Sequence, residues 1–218
     1  MGVTLQELRL RARERADMVG SKFISDSELD SYLNAGYFDL YDILVSRWED
    51  YYTVEASVTV AAGASSCALP TDFYKLVALD KGDTEVAKFT FKDRHNVTAL
   101  SYRIVKDSLV FLPAEVAAGS YTLWYVPLAE RLAVATTPPT AGTTDVINDV
   151  NGWSEYVVVS AAIMMLQKEE SDIQPLVVEK RALLDRIESM ASNRDASAPE
   201  SITEVWSPYD EAFRISTI

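Results

Sequence analysis

The stretch that decides the fold is residues 25–60, SDSELDSYLNAGYFDLYDILVSRWEDYYTVEASVTV, because its hydrophobic period changes once inside it. Ser25-Asp26-Ser27-Glu28 has the form of a capping box, with Ser25 set to accept from the amide three residues on and Glu28 set to reach back. Leu29, Leu33, Gly36, Leu40 and Ile43/Leu44 then recur at three- and four-residue spacing, predicting a helix that runs to about Trp48. Gly36 in the middle of that apolar stripe costs about 1 kcal/mol of helix propensity, which implies that another backbone approaches closely there. From Tyr51 the period drops to two. Val54, Ala56, Val58 and Val60 alternate with Glu55, Ser57 and Thr59, the pattern of a half-buried strand. A chain that leaves a helical region for a sheet region at this point needs a partner for the helical face it leaves behind.

Upstream, Thr4–Asp17 places Leu5, Leu8 and Ala12 on one helical face. Arg9 with Arg13, and Arg11 with Arg15, form two cationic rows, and Glu7 is spaced to pair with Arg11. Downstream, Gly63 marks a turn, Ser66–Leu69 stops at Pro70, and Phe73–Leu79 and Glu85–Phe91 read as strands about the Asp80-Lys81-Gly82-Asp83 turn. Lys92–Leu100 fits either a short helix or a loop. Tyr102–Val105 and Ser108–Leu112 flank a tight hairpin at Lys106-Asp107, and Gly119-Ser120 leads into Tyr121–Val126. The middle of the chain is thus expected to be a meander of antiparallel strands, as a sandwich or a barrel.

Ala133–Thr144, with Pro138-Pro139 and Gly142, reads as an exposed loop. Helical spacing returns in Trp153, Tyr156/Val157, Ala161, Met164 and Leu166. A further helix begins near Asp172, has Pro175 in its first turn, and carries Leu176, Leu183, Leu184, Ile187 and Met190. The expectation is an α+β protein: a four-helix bundle of two N-terminal (1–50) and two C-terminal (146–195) helices, with an antiparallel β domain (51–145) inserted between them. Residues 196–218 lose all period yet keep Val205, Trp206, Tyr209, Phe213 and Ile215, which reads as an extended tail that docks, on a partner subunit or on its own bundle.

The 218 residues carry 20 Lys and Arg against 33 Asp and Glu, a net charge of −13. That balance argues against sequence-reading of nucleic acid, which needs a clustered cationic face, but suits a protein past which DNA slides. A single cysteine, Cys67, and a single histidine, His95, allow neither an intrachain disulfide nor a Cys- or His-based metal cluster. Cys67 reads as a small strand residue and His95 as a polar-loop residue, with no third group spaced to make a nucleophile–base pair of them. Asp26, Glu28 and Asp30 suit a helix N-terminus, and Glu169, Glu170 and Asp172 a solvated helix end. With no phosphate loop, dinucleotide fingerprint, zinc motif or nucleophile elbow, the reading is of a protein without enzymatic function, cofactor or metal. No apolar run is long enough to span a membrane, and no N-terminal leader is evident, so a soluble protein made in the cytoplasm is expected. The Arg9, Arg11, Arg13 and Arg15 row remains open between a solvated face, a phosphate-binding stripe for nucleic acid and a contact for an acidic protein partner.

Several stretches together resemble the head-to-tail adaptor (connector) proteins of tailed bacteriophages, particularly the short-tailed kind. Phe23-Ile24-Ser25-Asp26-Ser27-Glu28-Leu29, followed by Tyr32-Leu33-Asn34-Ala35-Gly36 and Leu40-Tyr41, is similar to the family's second helix. Leu69-Pro70-Thr71-Asp72-Phe73-Tyr74-Lys75-Leu76 resembles its entry into the inserted sheet, and Tyr121-Thr122-Leu123-Trp124-Tyr125-Val126-Pro127 its closing strand. Trp153-Ser154-Glu155-Tyr156-Val157-Val158 with Ala161-Ala162, Lys168-Glu169-Glu170-Ser171-Asp172, and Arg186-Ile187-Glu188 on to Asn193-Arg194-Asp195 and Pro199 resemble its C-terminal helices and the start of its tail. The resemblance implies a virion protein of the neck. It would form a ring of subunits, commonly twelve, under the portal, extend the DNA channel without binding DNA specifically, and offer a platform to the tail nozzle or tube. The C-terminal segment in such proteins reaches the portal or a neighbouring adaptor. The arginine row departs from a channel lining and is expected to face a neighbour or the portal. A tail-tube or nozzle component, and a nucleic-acid-binding module using the arginine row, are the alternative readings.

Overall fold

The computed structural model describes residues 2–136 and 140–192. Its helices are α1 (Leu5–Arg15), α2 (Asp26–Arg47), α3 (Ser154–Lys168) and α4 (Gln174–Ser192). The strands of the middle region are β2 (Val54–Val60), β3 (Ser66–Ala68), β4 (Phe73–Lys81), β5 (Thr84–Glu85), β6 (Ala87–Lys88), β7 (Ser101–Val105), β8 (Ser108–Leu112) and β9 (Gly119–Pro127). Four short strands lie outside it: β1 (Gly2–Thr4), β10 (Arg131–Leu132), β11 (Thr143–Thr144) and β12 (Val146–Asn148).

The four helices share one core, and α3 is its centre. Ser154, Tyr156 to Ile163 and Met165 are all buried, so this helix is covered on every side. Leu5, Leu8 and Ala12 of α1, Leu29, Leu33, Leu40 and Leu44 of α2, and Ile187 and Ala191 of α4 pack around it. The Val157-Val158-Val159 run is a poor helix former by itself, and burial on all sides overrides that preference. Gly36 lies where α2 meets α3: a Cβ there would stand 3.0 Å from Ser160 Cβ and 3.2 Å from the Val157 carbonyl oxygen. The close approach expected from the glycine is therefore the α2–α3 crossing. Two expected core positions are displaced. Met165, not Met164, is fully buried in α3, and Met190 of α4 is 53% exposed while Ala191 takes its place. A wholly buried helix has no single stripe to read, and the last turn of α4 rotates by one position.

The β domain consists of two four-stranded sheets, ordered β2-β9-β4-β5 and β3-β8-β7-β6, that enclose one core. Val58, Val60, Leu79, Tyr121, Leu123 and Tyr125 from the first sheet meet Tyr102, Leu109 and Phe111 from the second, with the Phe111 and Tyr121 rings 4.5 Å apart. This is a sandwich, not a closed barrel. It is also not a meander, because the last strand, β9, sits between β2 and β4, pairing residue by residue from Val54↔Tyr125 to Val60↔Gly119. β9 has nine residues and buries Tyr121, Leu123, Tyr125 and Val126, so the centre of the sheet suits it better than an edge. The expected Glu85–Phe91 strand is divided: β5 closes the hairpin with β4, β6 changes sheets to pair parallel with β7, and Phe91–Asp93 is a 3-10 turn. Lys92–Leu100 therefore forms no α-helix.

Both ends of the insertion are tied to the bundle. β1 pairs antiparallel with β12, and β10 pairs parallel with β11 at the base of the expected Ala133–Thr144 loop, whose residues 137–139 lie outside the described set. Buried Asn34 acts as a strand partner for β10: its Nδ2 donates to the Leu132 carbonyl (2.9 Å) and its Oδ1 accepts from the Leu132 amide (2.7 Å).

Substituting Gly36→Val pushes two methyl groups into the Val157 backbone and Ser160. It is expected to destabilise the chain by about 1–3 kcal/mol in chemical denaturation, in spite of the better helix propensity of valine. An unchanged midpoint would show that the α2–α3 approach does not depend on the missing side chain.

Candidate functional site

In the structure the arginine row of α1 is engaged by the chain's own acids. Arg9 makes a fork on Asp30 with both contacts at 2.6 Å. Arg11 donates to Glu155 (2.5 Å) and to the Ser154 hydroxyl, and Arg15 meets the other Glu155 oxygen and Glu179. Arg13 donates to the Ser21 and Ile24 carbonyls and to Asp26. The i,i+4 spacing that made two rows therefore sends Arg9 and Arg13 to α2, and Arg11 and Arg15 to α3 and α4. Arg11, expected to pair with Glu7, finds Glu155 instead, which lies nearer the core and is shared. The Asp30 fork holds the Arg9 guanidinium above its ordinary pKa.

The capping box is half made. Ser25 accepts from the Glu28 amide, but the Glu28 carboxylate does not turn back; it accepts from Lys168 (2.7 Å) and the Tyr32 hydroxyl (2.8 Å). These two donors hold the Glu28 carboxyl below its usual range. Asp26, Glu28 and Asp30 thus serve as counter-ions to α1 and α3, whereas Glu169, Glu170 and Asp172 are exposed in the α3–α4 turn. Cys67 lies on β3 against the sandwich core, with burial raising its thiol pKa, and His95 is exposed in the loop before β7. Among the described residues, no group of three or more His, Cys, Asp or Glu side chains could hold a metal ion. No helix among them is long and apolar enough to cross a membrane.

An aromatic cluster lies at the helix–strand boundary and extends beyond the sequence neighbours Trp48, Tyr51 and Tyr52. Trp48, Tyr51 and Tyr52 pack in succession, tilted and then edge-on, with centroids 4.8 and 4.5 Å apart, and Tyr41 of α2 packs on Tyr52 at 4.2 Å. Tyr41 and Val45 bury Val126 of β9 beneath them, and the Tyr41 hydroxyl donates to the Pro127 carbonyl. This layer seats the sandwich on the bundle. Beside it, Phe38, Tyr41, Asp42, Tyr74, Leu128 and Ala129 line an open groove of about 310 Å³. Phe38, Tyr74 and Leu128 are too far apart in sequence for spacing to have joined them. Trp124 and Tyr125, adjacent on β9, part company: Tyr125 enters the sandwich core and Trp124 faces outward, its Nε1 donating to Asp80. The expected docking residues Val205, Trp206, Tyr209, Phe213 and Ile215 lie outside the described residues.

Two outcomes follow from this geometry. Glu155→Ala removes the common acceptor of Arg11 and Arg15 at a partly buried site; a loss of about 1–2 kcal/mol in urea denaturation is expected, and a change under about 0.5 kcal/mol would make the pair ornamental. Burial pushes the Tyr37 phenol up to about 12 and raises Tyr41, Tyr52 and Tyr156 as well. Unfolded phenols ionise near about 10, so above that pH the unfolded chain has released protons that the fold retains. Stability is thus full below about pH 10 and falls as pH rises toward 12; tyrosinate absorbance should appear together with loss of helical signal, and smooth ionisation without unfolding would contradict the burial.

Compared with known proteins, the chain matches no curated protein. It does match the family model described as SU10 adaptor protein over residues 3–203, a span that runs from the first strand through the sandwich and all four helices. The chain therefore belongs to the SU10 adaptor protein family, which makes it a structural adaptor of the bacteriophage head–tail junction.

Proposed function

We propose that this adaptor works as a ring of copies, twelve in number, seated under the portal in a virion of the short-tailed kind. The ring extends the DNA channel and presents a platform to the tail nozzle or tube. The observation that carries the reading is the family match, which covers the bundle, the inserted sandwich and the beginning of the tail. The charge of the chain supports it: a net −13 around a channel keeps DNA from adhering as it passes. So does the composition of residues 196–218, where Val205, Trp206, Tyr209, Phe213 and Ile215 supply large anchors without any helical or strand period. In this reading the tail binds the portal. The arginine row takes a lesser part, with Arg11 and Arg15 meeting the neighbour only along the edges that their intrachain carboxylates leave open.

The experiment is co-sedimentation of the full chain with the portal ring of the same phage, with the mass of the chain alone measured alongside. A stoichiometric layer on the portal supports the reading and counts the copies; no association overturns it. Removing the residues after Arg194 is expected to leave the helical signal intact and abolish portal binding. Trp206→Ala alone should weaken binding by about 2 kcal/mol or more if that ring is an interface anchor. Undiminished affinity after the deletion would place the docking function elsewhere in the chain.

A further inference from the structure

The two outer faces of the sandwich carry opposite charge, each around an exposed aromatic ring. On the second sheet, Tyr102 and Ile104 of β7 point to the core, so Arg103 and Val105 point outward, beside Val110 and Leu112 of β8. The turn after β6 lays Phe91 over this face, with the guanidinium carbons of Arg94 and Arg103 at 4.6 and 5.4 Å from its ring centre. Phe91 stays 54% exposed and Val105 44%. Lys92 and Lys106 adjoin Phe91 and Val105 in the chain, and Lys88 lies on β6 in register with inward-facing Tyr102. Residues 86–106 hold five Lys and Arg and one acid, a local charge of +4 in a chain of −13. Whereas the arginines of α1 are all engaged by acids, none of these five cations forms an ion pair among the described residues.

On the first sheet, Tyr121, Leu123 and Tyr125 of β9 point to the core, and Trp124 points outward, 37% exposed. Beside Ala78, its register partner on β4, three acids lie near it on that face. Glu55 is its register partner on β2, Asp80 on β4 accepts from its indole, and Glu85 on β5 pairs with Asp80. The bundle covers only the far end of the face, at Val126 and Val77.

We propose that these faces are the two halves of a contact between copies of this chain, the Trp124–Glu55–Asp80–Glu85 face of one sandwich against the Phe91–Arg94–Arg103 face of the next. Copies that each carry −13 repel unless their contact joins opposite charges, and the second sheet carries Arg94 and Arg103 around Phe91 with no ion pair to either among the described residues. Each half also offers an aromatic anchor within a charged rim, the usual anatomy of an interface. Because the halves lie on opposite sides of one sandwich, the contact is head-to-tail and continues from copy to copy, closing into a ring if the rotation allows. The inference rests on the ring reading above and names its interface.

Charge reversal tests it on the full chain, by sedimentation across rising concentration, alone and with the portal ring present. Arg94→Glu with Arg103→Glu sets acid against acid; Glu55→Arg with Glu85→Arg sets base against base. Each pair should weaken association by about tenfold or more. The chain carrying all four changes, and an equal mixture of the two reversed chains, should recover it, which also shows that the variants fold. Wild-type association that neither reversal alters would overturn this contact and leave the ring reading standing, as would a fourfold variant that stays dissociated. A wild-type chain that never associates, on the portal or alone, overturns both. If the arginine reversal instead removes retention of a duplex oligonucleotide while association persists, the basic face binds nucleic acid and the proposed contact is wrong.

Discussion

A helix buried on every side cannot exist alone, and the rest of this molecule is arranged around that constraint. Between Tyr156 and Ile163, α3 presents no polar group to water: its Ser160 hydroxyl is satisfied by the Tyr156 carbonyl one turn back, and the positions around it are Val, Ala and Ile. Its covering comes from both ends of the chain, α1 and α2 from one side of the inserted domain and α4 from the other. The helical region therefore forms only when residues 1–50 and 146–192 meet, and the insertion must leave and return at neighbouring points. The glycine at position 36 and the pairing of β1 with β12 are local consequences, the first letting α2 lie against α3 and the second closing the neck of the insertion.

Charge is distributed in two ways that serve different ends. Within the bundle, α1 places cations on both of its flanks, and each finds a carboxylate on another helix, so the short helix is held in place at several points. Such partly exposed pairs contribute modestly one by one but fix orientation, since Arg9 on Asp30 and Arg11 on Glu155 are incompatible with a rotated α1. On the sandwich, Arg94 and Arg103 of one outer face form no ion pair among the described residues, and Glu55, Asp80 and Glu85 lie on the opposite face. A face that the chain does not neutralise is available to something else, which is why the inferred contact lies there and not on the arginine row.

Between these parts lies the aromatic layer of Tyr41, Trp48, Tyr51 and Tyr52. It joins a bundle built on a 3.6-residue period to a sheet built on a period of two, two surfaces that do not interdigitate well by themselves. Large planar rings with polar ends tolerate that mismatch, packing on Val126 while the Tyr41 hydroxyl bonds the Pro127 carbonyl. The layer that results joins the sandwich to the bundle.

Local spacing by itself determined α2 with its Ser25 cap, the bounds of β2, the Gly36 approach, and the hairpins at Gly82 and Lys106. Each of these depends on residues within a few positions of one another, where backbone geometry dictates which side chains share a face. Position of β9 at the centre of its sheet, Asn34 as partner to Leu132, the destination of each arginine, and the opposition of the Phe91 and Trp124 faces were decided only by tertiary structure. Glu155 is 140 residues or more from the two arginines it holds, and β9 is some 60 from its partner β2. No periodicity carries across such separations. Those pairings are selected by which arrangement buries the apolar faces while leaving most buried polar groups bonded, a condition on the whole chain and not on any segment of it.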